Sequence, residues 1–229
     1  MKVSLMDTYQ HQWKHCLEIE EKFWKEWIRT RGLDWKDDFE KRVDPYFTSD
    51  ILIADLIDKS VSHPRVLDVG SGPLSIFPKV LYDGRPVELY AIDALAGIYN
   101  RELTINGIAP LVKTMEGYAE TLEDIYNAEQ FDLIYVRNSL DHTCNPFLSI
   151  ESMIHILKPQ SRIFMAHRKN LGKLENYMGA ALWNITEDNN NLIVWGKGRS
   201  VNLTIELETY AYVKTIGGDI WIDTVITKK

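Results

Sequence analysis

The stretch Leu67-Asp68-Val69-Gly70-Ser71-Gly72-Pro73-Leu74-Ser75 carries an apolar run into an acid and then into a Gly-x-Gly turn. Glycines let the main chain turn sharply, and they let a ligand lie against bare backbone. A helix is expected next. Asp93 ends the following apolar run about 20 residues on, the offset at which a carboxylate accepts both hydroxyls of a ribose. Together the turn and the acid point to an adenosine-like ligand across the tips of two strands. The plain alternative is a tight turn with no ligand, and Asp93 at that offset weighs against it.

The ligand is not read as a dinucleotide. A dinucleotide site uses a third glycine for close helix–strand packing, with the pyrophosphate on the helix N-terminus. Here Ser75 holds that position and Pro73 intrudes. Asp68 also suits a cation better than a diphosphate. A positively charged nucleoside such as S-adenosylmethionine fits this set.

Outward from the turn, residues 65–69, 87–92, 111–112, 131–136 and 162–166 form short apolar runs. Their spacing of about 20–30 residues fits strand–helix–strand units. Few polar positions suit parallel strands covered on both faces. The expected class is α/β, a doubly wound, Rossmann-like, mostly parallel sheet. Residues 192–195, 201–207, 210–215 and 220–227 read as further β runs, with Gly217-Gly218 as a hairpin turn between the last two. That last pair is expected to close the sheet edge as an antiparallel hairpin. The first pair reads as an inserted hairpin that shapes the substrate site.

Before the sheet, a helix is expected over about residues 8–31, capped by Asp7 with Gln10 three residues on. Trp13, Cys16, Leu17, Trp24, Trp27 and Ile28 share one face, and Gly32 supplies the stop. That stripe is expected to pack on a second helix or on the sheet. A lid over the site, with Tyr9, His11 and Lys14 near substrate, is the sharper alternative, and a dimer surface is a third. Glu18, Glu20, Glu21, Lys22 and Lys25 read as an ordinary solvated face. Ser49 or Asp50 can start a second helix through Ile51, Leu52, Ala54, Leu56 and Ile57. The chain thus divides into an N-terminal helical extension, residues 1–60, and a ligand-binding domain, residues 61–229.

The chain has 229 residues and a net charge of −7, with an apolar share of 45% that excludes disorder. It is long enough to bury a core without disulfides or metal. The acidic balance disfavours a nucleic-acid partner. No apolar run reaches the length of a membrane span, and residues 1–10 lack the apolar stretch of a secretion signal. Cys16 and Cys144 lie too far apart for a metal spacing or a disulfide framework. The expectation is a cytoplasmic protein, monomer or homodimer, with a small-molecule partner, no nucleic acid and no membrane.

At this point the sequence resembles the class I S-adenosylmethionine-dependent methyltransferases, chiefly over residues 61–168. Residues 67–72 match the family's first motif, and Ala91-Ile92-Asp93 the second, where the acid holds the ribose. Gly117-Tyr118-Ala119-Glu120-Thr121-Leu122 matches a third that borders the adenine, with Tyr118 in place of the usual acid. Phe131-Asp132-Leu133-Ile134 matches the fourth strand. Leu157-Lys158-Pro159-Gln160-Ser161-Arg162 matches the turn before the fifth, where Gln160 and Ser161 replace two glycines. The resemblance implies S-adenosyl-L-methionine as cofactor, leaving as S-adenosyl-L-homocysteine. It implies a binding set of Asp68, Gly70, Ser71, Gly72, Pro73, Asp93, Ala94, Leu95, Tyr118, Ala119, Glu120, Arg137 and Asn138. Arg137-Asn138-Ser139-Leu140-Asp141-His142, with His167-Arg168 and Glu175-Asn176-Tyr177 through Trp183-Asn184, is similar to a bacterial subgroup associated with surface-polysaccharide or related small-molecule modification. That subgroup has His-Gln before the tryptophan, where this chain has Ala181-Leu182; if that pair touches substrate, the resemblance implies a different substrate here.

Methyl transfer asks the protein for positioning, desolvation and, with a hydroxyl acceptor, a base. His142, in the loop after the fourth strand, is the leading candidate, with Asp141 beside it in sequence. Ordering that loop is its structural alternative. His167, at the end of the fifth strand, is a second candidate. Arg168 or Lys169 suits an anionic group, or simply solvent. Cys144 reads as structural. Asn138, Asp141 and His142 form only a loose set for a metal, and none is expected. Three functions follow: O-methylation of a sugar, nucleotide-linked or phosphorylated small molecule, N-methylation of a small molecule, or a methyltransferase-like binding subunit without turnover.

Overall fold

The computed structural model describes residues 2–196 and 198–229, with side chains from Gln12 onward. The expectations for the side chains of Tyr9, Gln10 and His11 lie outside the described residues. Among the described residues seven strands form one sheet: β1 (Arg65–Val69), β2 (Glu88–Asp93), β3 (Met115–Glu116), β4 (Phe131–Arg137), β5 (Leu157–Arg168), β9 (Ala211–Gly217) and β10 (Trp221–Lys228). Their order is β3-β2-β1-β4-β5-β10-β9. The first five run parallel, and β10 is antiparallel to both β5 and β9. The mostly parallel sheet and its closing hairpin are therefore as the pattern predicts.

Burial explains the strand composition. On one face Leu67, Val69, Ile134, Val136 and Met165 pack against α5 (Pro146–Ile156) and a 3₁₀ turn, Ala119–Asp124. On the other, Val66, Leu89 and Leu133 meet Ala54 and Ile57, from α3 (Ile51–Asp55) and just past its end, with Phe77 and Leu81. Asp50 caps α3 by accepting from Leu52 N–H at 3.0 Å. Asn145 caps α5 by accepting from Phe147 and Leu148 N–H.

The connection from β1 to β2 departs from expectation, because no helix follows Gly72. Residues 71–87 run as irregular chain with an isolated bridge between Val80 and Pro86. Three prolines, Pro73, Pro78 and Pro86, remove donors a helix needs. Ser75 Oγ accepts from Phe77 N–H at 3.0 Å, a local turn that competes with helix. Arg85 ties this segment to α3 and the turn after it, donating to the carbonyls of Ala54, Asp58 and Val61.

Smaller differences have local causes. The third strand lies at 115–116 rather than 111–112. The N-terminal helix, α1 (Lys2–Thr30), continues back through Asp7, which is therefore not its cap. A short helix α2 (Lys36–Val43) was not foreseen. Between β5 and β9 come α6 (Leu171–Leu174) and a three-stranded antiparallel sheet, β6 (Asn184–Asp188), β7 (Asn191–Gly196) and β8 (Arg199–Asn202). The expected 201–207 strand ends at Asn202, whose side chain accepts from Ile205 N–H and starts α7 (Leu203–Glu206). Gln160 takes φ +62°, the conformation for which glycine is the usual residue.

α1 belongs to the same packed body. Trp27 and Ile28 are buried with Phe39 of α2, Leu74 of the irregular loop and Leu103 of α4 (Ala96–Ile105). Cys16 joins the main core. Among the described residues no helix is long and apolar enough to cross a membrane.

Candidate active site

The site forms at the carboxyl ends of β1, β2 and β4, under α1. Gly70 and Gly72 both take positive φ, +68° and +65°. At Gly70 a Cβ would lie 2.3 Å from Ser139 Cβ, so a side chain is excluded by both conformation and space. Ser139 Oγ donates to the Val69 carbonyl at 2.9 Å and locks the β4 loop against β1. Gly72 donates its N–H to Asp93 Oδ2 at 3.0 Å, and Leu95 donates to Oδ1 at 2.9 Å. Burial pushes the Asp93 carboxyl up to about 6, the Leu95 and Gly72 N–H groups offset part of this, and Glu20 and Asp68 add to it. Each oxygen still has a lone pair to offer a hydroxyl.

The loop is braced from beneath. Ser75 Oγ donates to Asp68 Oδ2 at 2.6 Å, and burial pushes Asp68 up to about 6 against the Ser75 bond and the charges of Arg42 and Arg137. Asp68 thus holds the loop through Ser75. Ser71 is buried, bonding Gly72 O and Thr114, and Pro73 is buried beside it. Arg42 of α2 donates to the carbonyls of Ser71, at 3.3 Å, and Leu74, and its Nε pairs with Asp38 at 2.7 Å. Its guanidinium lies 6.0 Å from the Trp24 ring centre and 5.7 Å from that of Trp27.

α1 closes the site from above. A Cβ on Gly72 would lie 3.1 Å from the Trp24 ring, so the indole rests on the bare backbone of the turn. Trp24 Nε1 donates to Glu20 Oε2 at 2.6 Å, and the other Glu20 oxygen faces His142 Nδ1 at 2.9 Å. Glu20 is therefore not on a solvated face. Burial works against its charge, but His142 and the Trp24 N–H hold it below the usual carboxylate range. Lys14 is exposed.

Asp141 is 1% exposed and carries no hydrogen bond on either oxygen; His142 Nε2, 3.8 Å from its Oδ1, is buried and equally unbonded. Burial raises Asp141, with His142 opposing and Glu20 and Glu175 adding. Burial also opposes charge on His142, but Asp141, Glu20 and Glu175 outweigh it and push the imidazole up to about 10. The Asp141 carbonyl accepts from Leu182 and Trp183 N–H, which brings the Ala181-Leu182 segment to the site.

The remaining expected residues are placed as follows. His167 is buried, and its Nε2 accepts from Leu140 N–H at 3.3 Å. Burial, with His142 nearby, pushes it down to about 3. Its lone pair is committed to holding the β4 loop. Asn138, at φ +47°, joins β4 to β5 by donating N–H to Ala166 O and accepting from Arg168 N–H at 3.1 Å. Arg137 lies over the Trp221 ring at 5.9 Å. Tyr118 is exposed and meets Trp13 edge-on at 5.7 Å. Ala119 is half-buried, and Glu120 accepts from Asn145 N–H at 2.9 Å, which engages it in the loop before α5. Ala94 is half-buried beside Asp93 and Leu95 is buried. Lys169 pairs with Glu187 at 3.3 Å.

Sequence reasoning missed Glu20, Trp24 as a cover for Gly72, and Arg42. For Glu20 a signal existed. It stands four residues after Cys16 and four before Trp24, a lone acid inside the apolar stripe.

The donor set fits a cationic nucleoside. Asp93 retains acceptor capacity for ribose hydroxyls, Gly70 and Gly72 themselves carry no side chain, and the buried Asp141 oxygens, one of them 3.8 Å from His142 Nε2, carry no hydrogen bond.

No family model and no curated protein matches the chain. Solved structures do. A SAM-dependent methyltransferase from Aquifex aeolicus superposes with TM-score 0.50 at 13% identity, over 90% of this chain and 98% of that one. A putative S-adenosyl-L-methionine-dependent methyltransferase from Methanococcus maripaludis gives TM-score 0.51 at 13% identity, over 88% and 94%. At that identity the likeness establishes the fold: a Rossmann-like methyltransferase sheet with its antiparallel hairpin and an N-terminal helix.

Proposed function

We propose that the chain is an S-adenosylmethionine-dependent methyltransferase that methylates a hydroxyl of a small molecule. The observation that carries this is the Gly72 N–H to Asp93 Oδ2 bond, which joins the glycine turn to the ribose-type acid at the tips of β1 and β2. Asp93 would hold the ribose hydroxyls, and Gly70, Ser71 and Gly72 would let the tail of the cofactor lie against backbone. When bound, the cofactor supplies a methyl group on a positively charged sulfur. The chain's own work is to bind, orient, exclude water and move one proton. In its neutral form His142 would take the acceptor's hydroxyl proton at Nε2, which is buried and unbonded. A sugar, nucleotide-linked or phosphorylated precursor of a bacterial surface polysaccharide is the acceptor class in this reading, which rests on the resemblance of residues 137–142.

One observation favours an amine acceptor instead. The Asp141 oxygens lack a donor, and His142 already holds its proton well above neutrality. An ammonium would satisfy Asp141 directly.

The test is a screen of candidate acceptors with methyl-labelled S-adenosylmethionine and mass spectrometry, repeated with His142→Ala. The proposal expects a methylated hydroxyl product that disappears in the variant while the cofactor still binds. Unchanged turnover in the variant would remove His142 as base and favour an amine. Cofactor binding with no methylated product from any acceptor would favour a binding subunit.

A further inference from the structure

Glu20 stands in the middle of a 29-residue helix that carries ordinary surface pairs among its described side chains. Lys25 pairs with Glu21, and Arg29 with Glu26, both within reach of solvent. Glu20 differs in position and in partners. Its side chain is 20% exposed, against 69% for Glu18. Both its oxygens are used, one by Trp24 Nε1 and one by His142 Nδ1. The contact to His142 spans elements far apart in the chain, α1 and the loop after β4.

The two ring nitrogens of His142 are thereby made unequal. Nδ1 is held by a carboxylate. Nε2 is buried, lies 3.8 Å from Asp141 Oδ1 and carries no hydrogen bond, so it is the less firmly held nitrogen and the one left for a reacting group. A carboxylate on one nitrogen fixes the tautomer and the ring plane, and it stabilises the imidazolium formed when the other nitrogen takes a proton. We propose that Glu20 is a positioning residue for His142, holding Nδ1–H so that Nε2 accepts the proton of the acceptor hydroxyl. This rests on the reading of the site as one for methyl transfer to oxygen.

The balance of the step is simple. The hydroxyl proton passes to Nε2, Nδ1–H stays on its nitrogen against Glu20, and His142 leaves the step as an imidazolium that returns one proton to solvent. His142 must begin neutral. The groups facing it are Glu20 from α1, Asp141 from its own turn, Glu175 after α6 and His167 from β5. The three carboxylates favour the charged ring, so the resting site holds a proton. A cation bound nearby opposes it and favours the neutral form.

Trp24 adds a structural link. It lies one turn from Glu20 on the same helix face and rests on Gly72. Docking of α1 therefore sets the His142 ring and covers the glycine turn together.

The experiment is a ¹⁵N-imidazole NMR titration of the full chain, wild type and Glu20→Gln, with His142→Ala to assign the resonances. The wild type is expected to show a His142 Nδ1–H protected from exchange, and a titration well above that of an ordinary histidine. Glu20→Gln keeps the size of the side chain and removes its charge, so the His142 titration is expected to fall by at least one pH unit. With an acceptor in hand, the rising limb of the methyl-transfer pH profile moves acidward by the same amount and kcat falls more than KM rises. A His142 titration unmoved by Glu20→Gln would overturn the proposal. If that variant does not fold, an unprotected Nδ1–H in the wild type overturns it equally. Cofactor binding by the wild type is measured separately. Binding with an unmoved titration removes the role of Glu20 alone, whereas a moved titration without binding removes the methyl-transfer reading and leaves the contact.

Discussion

Gly72 gives its backbone N–H to Asp93 Oδ2 at 3.0 Å, and this bond makes the turn after β1 and the tip of β2 one unit. The Asp93 carboxylate has two tasks, shaping the turn and facing a ribose. Asp93→Ala should weaken cofactor binding by about a hundredfold, the cost of about 3 kcal/mol expected when a charged hydrogen-bonding group is lost. Asp93→Asn can still accept from one N–H and should weaken it less. Titration calorimetry of the three proteins ranks them. Equal affinities would remove Asp93 from the site.

The same carboxyl sets a pH dependence. Burial raises it to about 6, so it is protonated in the free protein at low pH. A cationic ligand with hydroxyl donors binds the ionised form. Cofactor affinity should therefore rise with pH through about 6 and level off near neutrality, falling about fivefold between pH 6 and 5. Affinity independent of pH over that range would contradict this role.

Arg42 predicts a stability effect at a place the motifs do not mark. Its side chain is 11% exposed, bonds two carbonyls of the glycine loop and pairs with Asp38. Arg42→Met keeps much of the apolar stem and loses those bonds. It should lower stability by about 2–3 kcal/mol, the scale of hydrogen bonds to a charged group, read from urea unfolding. A loss within about 0.5 kcal/mol would mean that solvent screening leaves the brace little energy.

His167 contributes a loss of stability in acid. Its pKa is about 3 in the folded protein, below the value of an ordinary histidine. The unfolded chain then binds the extra proton, so this residue's contribution is present above about pH 6.5 and lost as pH falls toward 3. His167→Gln can still accept from Leu140 N–H and cannot titrate. Its stability should fall less than that of the wild type between pH 6.5 and 5, measured by urea midpoints. Parallel curves would show that His167 does not carry the acid loss.

Much of this architecture was readable from residues alone, for identifiable reasons. Nearly continuous apolar runs such as Phe131–Val136, broken only by Asp132, must be covered on both faces, which leaves a parallel sheet as the natural arrangement. Gly70 and Gly72 announced a turn because their positive φ favours glycine and, at Gly70, the space beside Ser139 admits no side chain. The missing helix after Gly72 was hidden because the expectation followed the turn, while Pro73, Pro78 and the Ser75 turn governed what came next. Local spacing also cannot reveal partners across the fold. Asp68 was read as facing the ligand, yet Ser75 donates to it. Glu20 was grouped with its sequence neighbours, yet its partner is His142, more than a hundred residues on.

The most direct measurement is titration calorimetry of the full-length protein with S-adenosylmethionine at neutral pH, with S-adenosylhomocysteine as competitor. The account predicts saturable binding at a single site, displaced by the demethylated product and strongly weakened in Asp93→Ala. Absence of any binding heat with the folded wild type, confirmed by equilibrium dialysis of labelled cofactor, would contradict it.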